Sequence, residues 1–412
     1  MVRTNLRYAV KRSMAPRPRL YDHILEGHLA EHRQMAFVSG PRQVGKTTTC
    51  RGLSTAYLNW DSVDDRRIIL RGPEAVARHI RLSELRERLA VVVFDELHKD
   101  KTWKNFLKGF FDVHADHARI IVTGSSRLDI TRRGSDSLMG RYFLFRMHPW
   151  STGECARQAV PGSVVQPPTP ISDADWEALI EHGGFPEPFL KRDRRFTRRW
   201  RTLRQDQLTK QDLREVSRLQ DIAAMEILAL ILAENSAQQL IYSNLSSEIG
   251  NAVDTVRRWI DLLIRLHYGF FVRPWFKNVA KSLRKEPKWY LRDWSGIDDA
   301  GARAETFIAC HLLKAVEGWT DLGLGNFELR YLRDKLKREV DFLVVRDRKP
   351  WFLVEAKNAD DKLSDSLGYF QTQTQARHAF QVVLDRPFAA VDCFTRTDPV
   401  VVPARTFLSQ LL

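Results

Sequence analysis

The chain has 412 residues, of which 43% are hydrophobic and 28% charged, a composition typical of soluble proteins with several folded units. Its net charge of +14 favours a polyanionic partner, although basic proteins without one also occur. The four cysteines lie far apart without a C-x-x-C pair, which argues against a zinc ribbon or a disulfide framework and suits a reducing cytosol. We see no signal peptide and no apolar run long enough to span a bilayer, so we predict a cytoplasmic protein without a membrane partner.

Residues 1–30 are basic at their start and then become helix-like, which predicts a lead-in that packs against the next unit, residues 31–158. That unit opens with a strand-like run at residues 35–38, followed by the spacing G-x-x-x-x-G-K-T. This spacing is typical of a phosphate-binding loop, because glycines let several backbone N–H groups face one anion and the following helix directs its positive end at it. We predict ATP contacts along the whole loop: Gly40, Pro41, Arg42, Gln43, Val44, Gly45, Lys46, Thr47 and Thr48.

Two of these residues have individual predicted roles. Lys46 would contact the β- and γ-phosphates, and the Thr47 hydroxyl would bind Mg²⁺. The helix after the loop is expected to run to about Leu53. A second strand is expected at residues 56–62, ending in Asp61 near the nucleotide edge of the sheet.

The apolar run within residues 89–99, LAVVVFDELHK, predicts a central parallel strand buried on both faces. It ends in Asp95 and Glu96, at the strand end where open α/β sheets bind their ligands. Asp95 would hold Mg²⁺ through water, and Glu96 would orient and deprotonate the attacking water. Acidic pairs at strand ends also occur as plain surface features, but a preceding phosphate loop favours a hydrolysis pair.

A third buried strand is predicted within residues 118–130, and it breaks at polar residues. Thr123 and Ser125 are candidates to sense the γ-phosphate or the attacking water, although a plain turn fits the pattern nearly as well. One of the arginines that follow could stabilise a transferring phosphoryl group, because a guanidinium is planar and permanently charged. These arginines are Arg127, Arg132, Arg133 and Arg141. We select Arg141 as the catalytic candidate and expect the others to be solvated or structural.

The segments GPRQVGKT, VVVFDELHK and TGSSRLDI…SLMGRYFLFRMHPWS resemble a prokaryotic family of AAA-type ATPases related to the archaeal ATPase and STAND groups. The later GGFPEPF, residues 183–189, is similar to the same family, so the resemblance covers nearly the whole chain. Members typically join this module to a C-terminal domain of unassigned function. The resemblance implies ATP binding and hydrolysis and leaves the cellular role open.

Residues 159–221 are predicted to form a linker and a basic helical region. The Pro-rich start, residues 159–171, indicates an irregular, semi-rigid segment. The basic stretch KRDRRFTRRWRTLR, residues 191–204, would place its apolar side chains on one helix face: Phe196, Trp200 and Leu203. Arg198 and Arg199 are candidate DNA-phosphate contacts, although a solvated helix whose aromatic residues pack on the ATPase fits equally well.

Residues 222–276 have the order of a winged helix-turn-helix: a helix, a short polar segment, a second helix and the strand-like GFFVRPW. In that fold one helix enters the major groove of DNA. Arg257 and Arg258 on the second helix are candidates for contacts with phosphates or base edges. Winged helices also serve as protein–protein modules, so the sequence leaves DNA contact open.

Residues 277–412 contain a predicted β-hairpin at residues 337–360. Asp341 lies on its first strand, and Glu355 and Lys357 face one side of its second strand. An acid followed by E-x-K on adjacent strands resembles the restriction-endonuclease-like (PD-(D/E)xK) superfamily. The resemblance implies two carboxylates that hold Mg²⁺ and a lysine that positions the attacking water, lowers its pKa or neutralises the developing charge. Such patterns also arise in hairpins as structural ion pairs.

Glu305 strengthens this resemblance, because superfamily members often carry a helical acid ahead of the hairpin. It shares a predicted helix face with Ile308 and Leu312, where a carboxylate is costly unless it is paired or bound to metal. We therefore predict a metal-ligand set of Glu305, Asp341 and Glu355, with Asp341, Glu355 and Lys357 as catalytic residues. Gln371 in the following helix is a weaker candidate for the same site.

The predicted fold is α/β: a P-loop NTPase with a central parallel sheet, a winged-helix-like helical region, and a smaller α/β restriction-endonuclease-like domain. The predicted function is an ATPase acting on DNA, in which ATP gates a Mg²⁺-dependent nuclease domain whose activity the sequence leaves open. A trans-acting arginine would require a neighbouring subunit, so a homo-oligomer or a partner protein is also considered. The alternative is a signalling or scaffold ATPase whose C-terminal domain is inactive and only binds protein or DNA.

Overall fold

The computed structural model describes residues 17–124, 138–208, 221–276, 285–359 and 362–412. The first sheet contains β1 (Met35–Ser39), β2 (Ala56–Asn59), β3 (Ala90–Asp95), β4 (Ala118–Gly124) and β5 (Tyr142–Arg146). All of its pairings are parallel, in the order β2-β3-β4-β1-β5. The central strands are almost wholly apolar because helices cover both faces of the sheet. The predicted central parallel sheet of a P-loop NTPase is therefore confirmed.

Helices surround or follow this sheet: α1 (Leu20–Glu31), α2 (Lys46–Leu53), α3 (Val63–Leu70), α4 (Pro73–His79), α5 (Trp103–His114) and α6 (Thr152–Ala156). The rings of Phe106 and Phe110 on α5 pack edge-on against Phe94 of β3, with centroids 5.4 and 5.3 Å away. Helix α2 ends at Leu53, as predicted. The N-terminal lead-in contains α1, whose apolar face is buried in the core.

The second strand is shorter than predicted. β2 ends at Asn59, because Ser62 caps the start of α3 and the chain must turn before it. Asp61 lies in this turn, where its carboxylate pairs with Lys99 at 2.7 Å. The predicted third strand, residues 118–130, is described up to Gly124 and is β-strand to that point.

Residues 157–172 contain neither helix nor strand, in agreement with their Pro-rich sequence. Helices then follow: α7 (Asp173–His182), α8 (Pro186–Lys191), α9 (Arg194–Gln207), α10 (Ile222–Glu234), α11 (Tyr242–Ile249) and α12 (Val253–Arg265). On α9, Trp200 is buried but Leu203 is 65% exposed, so the predicted apolar face is wrong at Leu203. The buried stripe runs through Thr197 and Trp200, and Arg201 and Arg204 continue it by bonding to Ser295 and Asp293.

The second sheet contains β6 (Gln238–Gln239), β7 (Gly269–Pro274), β8 (Lys288–Leu291), β9 (Phe327–Arg333), β10 (Glu339–Arg346), β11 (Lys349–Lys357), β12 (His378–Val383) and β13 (Val400–Pro403). Its order is β13-β12-β11-β10-β9-β7-β8-β6, and β10 and β11 form the predicted antiparallel hairpin. The helices of this region are α13 (Ala300–Asp321), α14 (Asp365–Thr374) and α15 (Ala404–Ser409).

The second sheet is continuous across the predicted domain boundary between residues 276 and 277. β7 pairs with β8 antiparallel and with β9 parallel, so strands from both sides of that boundary share one sheet. This continuity brings the start of β8 close to the β10–β11 hairpin.

Candidate functional site

The phosphate loop connects β1 to α2 in a conformation that requires its glycines. Gly40 has φ +154°, and a Cβ there would lie 2.3 Å from the carbonyl oxygen of Met147. Gly45 has φ +103° and is the N-cap of α2, so the backbone N–H groups at the start of this helix face the space above the loop. The loop therefore has the backbone geometry of an anion-binding turn.

Lys46 is buried at the first position of α2. Its ammonium donates to the carbonyl oxygens of Gly40 and Pro41 at 2.8 and 2.7 Å. Burial lowers the pKa of Lys46 to about 8. An incoming phosphate would offer this ammonium a negatively charged partner in place of two neutral carbonyls.

Thr47 and Asp95 meet across the end of the sheet. The Thr47 hydroxyl lies 3.3 Å from Asp95 Oδ2, which also accepts a hydrogen bond from the Tyr57 hydroxyl. Asp95 is 6% exposed, and burial raises the pKa of its carboxyl. A buried carboxylate beside a hydroxyl is a donor set that suits Mg²⁺, so these residues fit the predicted metal position.

Glu96 follows in the left-handed conformation, with φ +56°, and its backbone N–H donates to the Thr123 carbonyl at 2.9 Å. Among the described residues, its buried Oε2 accepts no hydrogen bond, and Lys99 Nζ lies 3.6 Å away. The Thr123 hydroxyl is also buried without a hydrogen-bond partner in the described part of the chain. Thr123 thus lies beside the Asp95–Glu96 pair, as a γ-phosphate sensor would.

Arg141 lies at the opposite end of the sheet from the phosphate loop. Its carbonyl oxygen accepts from the N–H of Met35, the first residue of β1, whereas the loop follows the last. Because a strand rises about 3.3 Å per residue, the two ends lie about 13 Å apart. Its guanidinium pairs with Asp112 at 2.7 Å. The prediction is therefore wrong for a phosphate in the same chain, and contact with a neighbouring subunit's nucleotide stays a prediction.

Four other candidates, which follow the third buried strand in the sequence, lie outside the described residues. They are Ser125, Arg127, Arg132 and Arg133.

A buried ion network contacts the phosphate loop through the carbonyl oxygen of Val44. This network was not predicted from the sequence. Arg19 donates to the Val44 carbonyl at 2.7 Å and to Glu154 Oε1 at 2.6 Å. Glu154 Oε2 pairs with Lys314 of α13, and both side chains are fully buried. Although burial opposes ionisation, Arg19 and Lys314 lower the pKa of Glu154 to about 2. These three residues lie far apart in sequence and match no local motif.

A second polar site lies where α13, β8 and the β10–β11 hairpin meet. Lys288 Nζ contacts Glu305 Oε1 at 2.9 Å, Glu339 Oε1 at 2.5 Å and Asp341 Oδ1 at 3.2 Å. The Tyr290 hydroxyl donates to Glu305 Oε1 at 2.6 Å. We refer to Lys288, Glu305, Glu339, Asp341 and Glu355 as the carboxylate cluster. The structure therefore brings Glu305 and Asp341 together through one ammonium.

Glu355 completes the cluster from β11. Its Oε1 accepts from Lys357 at 2.9 Å, and its buried Oε2 has no hydrogen-bond partner among the described residues. Asp341 Oδ2 accepts from the backbone N–H of Ala356 at 3.0 Å, which places the Asp341 and Glu355 carboxylates side by side. Burial and the Asp341 charge raise the pKa values of Glu305 and Glu355 to about 7.

Whether a metal ion fits this cluster depends on which carboxylates are considered. No three His, Cys, Asp or Glu side chains of the described residues converge closely enough to hold a metal ion, so Glu305 does not join the other two as predicted. Its place beside Asp341 is filled by Lys288. Asp341 and Glu355 fit a divalent ion as a pair, because Glu355 Oε2 is buried and has no hydrogen-bond partner in the part of the chain that the structure describes.

Two members of the cluster were missed from the sequence, and one weak candidate lies elsewhere. Glu339 precedes Asp341 by two residues on one strand, so strand periodicity alone would have placed both carboxylates on the same face. Lys288 occupies a fully buried strand whose pattern carries no such signal. Gln371 donates to the Thr397 carbonyl at 2.6 Å and takes no part in the cluster.

The candidate DNA-contacting arginines all lie on the surface. Arg198 and Arg199 are exposed on α9, and Arg257 and Arg258 are exposed on α12. The Arg257 guanidinium stacks over the Tyr242 ring at 4.8 Å, and Arg258 bonds within its own helix, to Thr255 at 3.1 Å.

No helix in the described part of the chain is long and apolar enough to cross a membrane.

Comparison with protein families identifies the first sheet and its loop. Residues 32–156 match the model of the AAA domain family AAA_14, and this match contains the phosphate loop and the Asp95–Glu96 pair. The fold of residues 32–156 is therefore that of an AAA-type P-loop ATPase domain. A second match, at residues 173–297, is to a domain of unknown function, DUF8612. It runs from α7 past β8, and so contains Lys288 and ends before Glu305.

The chain is also similar to proteins that have not been characterised. It is 26% identical over 359 residues to an uncharacterized protein of Mycobacterium tuberculosis, covering 82% of this chain and 74% of that protein. An uncharacterized protein of Mycobacterium bovis gives the same values. Among solved structures, the Aeropyrum pernix ORC1 protein in complex with DNA has a TM-score of 0.29 at 13% identity, covering 70% of this chain and 90% of that one. A TM-score this low does not establish a common fold.

Proposed function

We propose that the chain is an ATP-hydrolysing switch that acts on DNA, and that its nucleotide state gates a Mg²⁺-dependent phosphodiesterase site in the carboxylate cluster. The observation that carries the proposal is that Asp341 and Lys357 lie next to Glu355, whose buried Oε2 has no hydrogen-bond partner among the described residues. Such an oxygen is costly without a partner, and a divalent cation is the partner that suits it.

In the AAA-type domain, the loop N–H groups and Lys46 would bind the phosphates of ATP, and Thr47 and Asp95 would hold Mg²⁺. Glu96 would accept a proton from the water that attacks the γ-phosphorus, while the bond to the β–γ bridging oxygen breaks to give ADP and phosphate. Arg141, on the far edge of the sheet, would act only on the nucleotide of a neighbouring subunit, so this role requires a homo-oligomer.

In the carboxylate cluster, Asp341 and Glu355 would hold the divalent ion. That ion would polarise the scissile phosphate and make a bound water more acidic. Lys357 is one third exposed, so its ammonium can reach a substrate in solvent, where it would position the water or neutralise the developing charge. Attack of water on phosphorus would break one P–O bond and leave a hydroxyl and a phosphate end. The order of helix α13, hairpin β10–β11, helix α14 and parallel strand β12 supports a restriction-endonuclease-like domain.

The region from α10 to β8 would bind DNA as a winged helix. Its order of helix, short strand, two helices and a pair of antiparallel strands supports this assignment. The exposed Arg257 and Arg258 on α12 would contact phosphates, with Arg198 and Arg199 on α9 as further contacts. The Arg257→Ala/Arg258→Ala double variant should reduce the slope of log affinity against log salt by about two. An unchanged slope would place DNA elsewhere on the protein.

Helix α13 would couple the two sites. Lys314 reaches the phosphate loop through Glu154 and Arg19, and Glu305 lies nine residues earlier on the same helix, about 14 Å away along its axis. A change in loop conformation on ATP binding would act on Val44, Arg19 and Glu154 and thereby move α13 relative to the hairpin.

The direct test is cleavage of supercoiled plasmid and single-stranded DNA with Mg²⁺ or Mn²⁺ in the presence of ATP. We expect nicked or linear product from the wild type and none from Asp341→Ala or Lys357→Ala. The exposed Lys349→Ala on the same strand is the matched control and should cleave like the wild type. Absence of cleavage of any nucleic-acid form by the wild type would refute the nuclease part.

A second candidate function is supported by Lys288. Its ammonium already pairs with both Glu305 and Asp341, as it would in a structural ion cluster without catalytic activity. The chain would then be a scaffold ATPase whose second sheet only binds protein or DNA. This candidate predicts nucleotide-dependent binding of a partner without cleavage and without divalent-ion binding at Asp341.

A further inference from the structure

Lys288 is a buried lysine with an unusual number of carboxylate partners. It begins β8, is 3% exposed, and contacts one carboxylate from α13 and two from β10. Although burial favours the neutral amine, the charges of Asp341, Glu305 and Glu339 raise the pKa of Lys288, so the side chain is cationic. Lys288 is therefore the resident counter-ion of this half of the cluster.

The contacts of Lys288 leave it no donor for a substrate. An ammonium has three N–H donors, and Glu305, Glu339 and Asp341 take one each. Lys357 differs from it, because Lys357 binds Glu355 and its side chain is one third exposed. Contact with DNA thus falls to Lys357, and Lys288 acts only through the carboxylates that it holds.

The cluster has two sides that share Asp341. On one side, Asp341 Oδ1 and Glu305 are bound to Lys288. On the other side, Asp341 Oδ2 accepts from Ala356 and lies next to Glu355, whose Oε2 is unpartnered within the described residues. The first side has a cation bound between its carboxylates, whereas on the second side Lys357 binds Glu355 Oε1 and leaves Oε2 without a partner among the described residues.

The formal charges of the cluster also differ between its two sides. Among the described residues, the four carboxylates of the cluster face three cationic groups, namely Lys288, Lys357 and Arg333, which pairs with Glu339 at 2.9 Å. If Lys288 and Arg333 are counted against Glu305 and Glu339, Asp341 and Glu355 share Lys357, which leaves one negative charge on that pair. A single divalent ion is enough to balance it, whereas a second ion beside Glu305 would repel the buried ammonium.

We propose that Lys288 is a positioning residue that takes the place of a second divalent ion, so that the cluster binds one divalent ion, between Asp341 and Glu355. This inference deepens the proposed function and rests on it, because it concerns the metal content of the same site. Lys288 sets the separation of Glu305 and Asp341, and with it the position of the Asp341 oxygen offered to the metal.

The test is the number of Mn²⁺ ions bound by the full chain without nucleotide, measured by calorimetric titration and by the EPR signal of free Mn²⁺. The Asp341→Asn variant counts ions bound elsewhere, and its value is subtracted. We expect one ion at the cluster in the wild type and two in Lys288→Met, because the loss of the ammonium frees Glu305, Glu339 and Asp341 for a second ion. Lys288→Arg keeps the charge and should bind one.

The outcomes separate this inference from the proposed function. No Mn²⁺ at the cluster of the wild type would overturn the proposed metal site itself. One ion in the wild type and one in Lys288→Met, with unchanged affinity, would overturn only the role of Lys288. Two ions in the wild type would also overturn it.

A second variant keeps the test decisive if Lys288→Met does not fold without metal. The Lys288→Met/Glu305→Gln double variant removes one charge of each sign, so it retains the charge balance of the wild type and should bind one ion. We also expect Mn²⁺ to raise the melting temperature of Lys288→Met more than that of the double variant. Equal shifts for the two variants would contradict a second ion site.

Discussion

The two sites of this protein each contain a buried lysine. The partners of one lysine are neutral, whereas those of the other are negatively charged. Lys46 donates to two neutral carbonyl oxygens of its own loop, and burial lowers its pKa. Lys288 contacts three carboxylates, and its pKa is raised. A lysine bound to neutral groups is stabilised when an anion binds to it, whereas the charge of a lysine bound to carboxylates is already balanced. Lys46 is therefore available to bind an anionic ligand, whereas Lys288 keeps the carboxylates of its own site in place.

The two sites also differ in how they are built. The nucleotide site is made chiefly of backbone groups from one contiguous loop, whereas the carboxylate cluster takes side chains from α13, β8, β10 and β11. Substitutions at the first should therefore change catalysis with little effect on folding. Substitutions in buried ion networks should change stability as well.

The largest expected effect is the loss of ATP turnover in Lys46→Ala. Without the ammonium, the developing charge on the transferring phosphoryl group lacks its main side-chain partner, and we expect kcat to fall by about 10³-fold. The exposed Lys101→Ala is the control and should hydrolyse ATP normally. A steady-state phosphate-release assay measures both, and wild-type turnover in Lys46→Ala would break the first half of the comparison.

The next effect is a loss of stability in Glu154→Gln. This substitution leaves Arg19 and Lys314 buried without their shared carboxylate, which should lower the free energy of unfolding by about 3–5 kcal/mol. Glu84→Gln removes an exposed carboxylate 3.6 Å from Arg81 and should change stability by no more than about 0.5 kcal/mol. Denaturant unfolding compares the two, and equal effects would show that the buried network is energetically unimportant.

The same carboxylate predicts a pH window. The pKa of Glu154 is about 2 in the folded protein and 4.5 for an ordinary glutamate, so its stabilising contribution is full above about pH 4.5. That contribution is lost as the pH falls towards 2, by about 3 kcal/mol in total. The stability difference between wild type and Glu154→Gln should therefore narrow between pH 5 and pH 2. A difference that stays constant over this range would contradict the assignment.

A smaller effect is expected for Glu96→Gln, which should bind ATP with wild-type affinity but hydrolyse it about 10²-fold more slowly, because the attacking water loses its proton acceptor. Glu87→Gln, on the exposed surface, is the control. Fluorescent-nucleotide binding and phosphate release separate the two steps. Weakened binding with unchanged kcat would assign Glu96 a positioning role instead.

The part of each site that could be predicted from the sequence is the part whose residues lie close together along the chain. The phosphate loop and Asp95 were predictable because their spacing is local and each follows an apolar strand. The hairpin with Asp341 and Glu355 was predictable for the same reason. Lys288 was not, because it lies 53 residues from Asp341 and only the continuity of the second sheet brings them together. Arg19, Glu154 and Lys314 likewise meet only through the packing of α13 on the AAA-type domain.

The same limit explains two of the corrected residues, Arg141 and Leu203. Arg141 has the right residue type and sequence position for a catalytic arginine, but the parallel register places it at the wrong end of β1. Leu203 has the right spacing from Trp200, but the buried stripe of α9 passes through Arg204 instead. In both cases tertiary structure selected among faces that the sequence left equivalent.

The central claim is that the nucleotide site controls the carboxylate cluster, and the most direct measurement is the rate of Mg²⁺-dependent DNA cleavage with and without ATP. We predict that ATP changes the wild-type rate at least fivefold, roughly the lower limit of typical allosteric coupling, and that Lys46→Ala shows no such change. Equal wild-type rates with and without ATP, or a full ATP response in Lys46→Ala, would contradict the account.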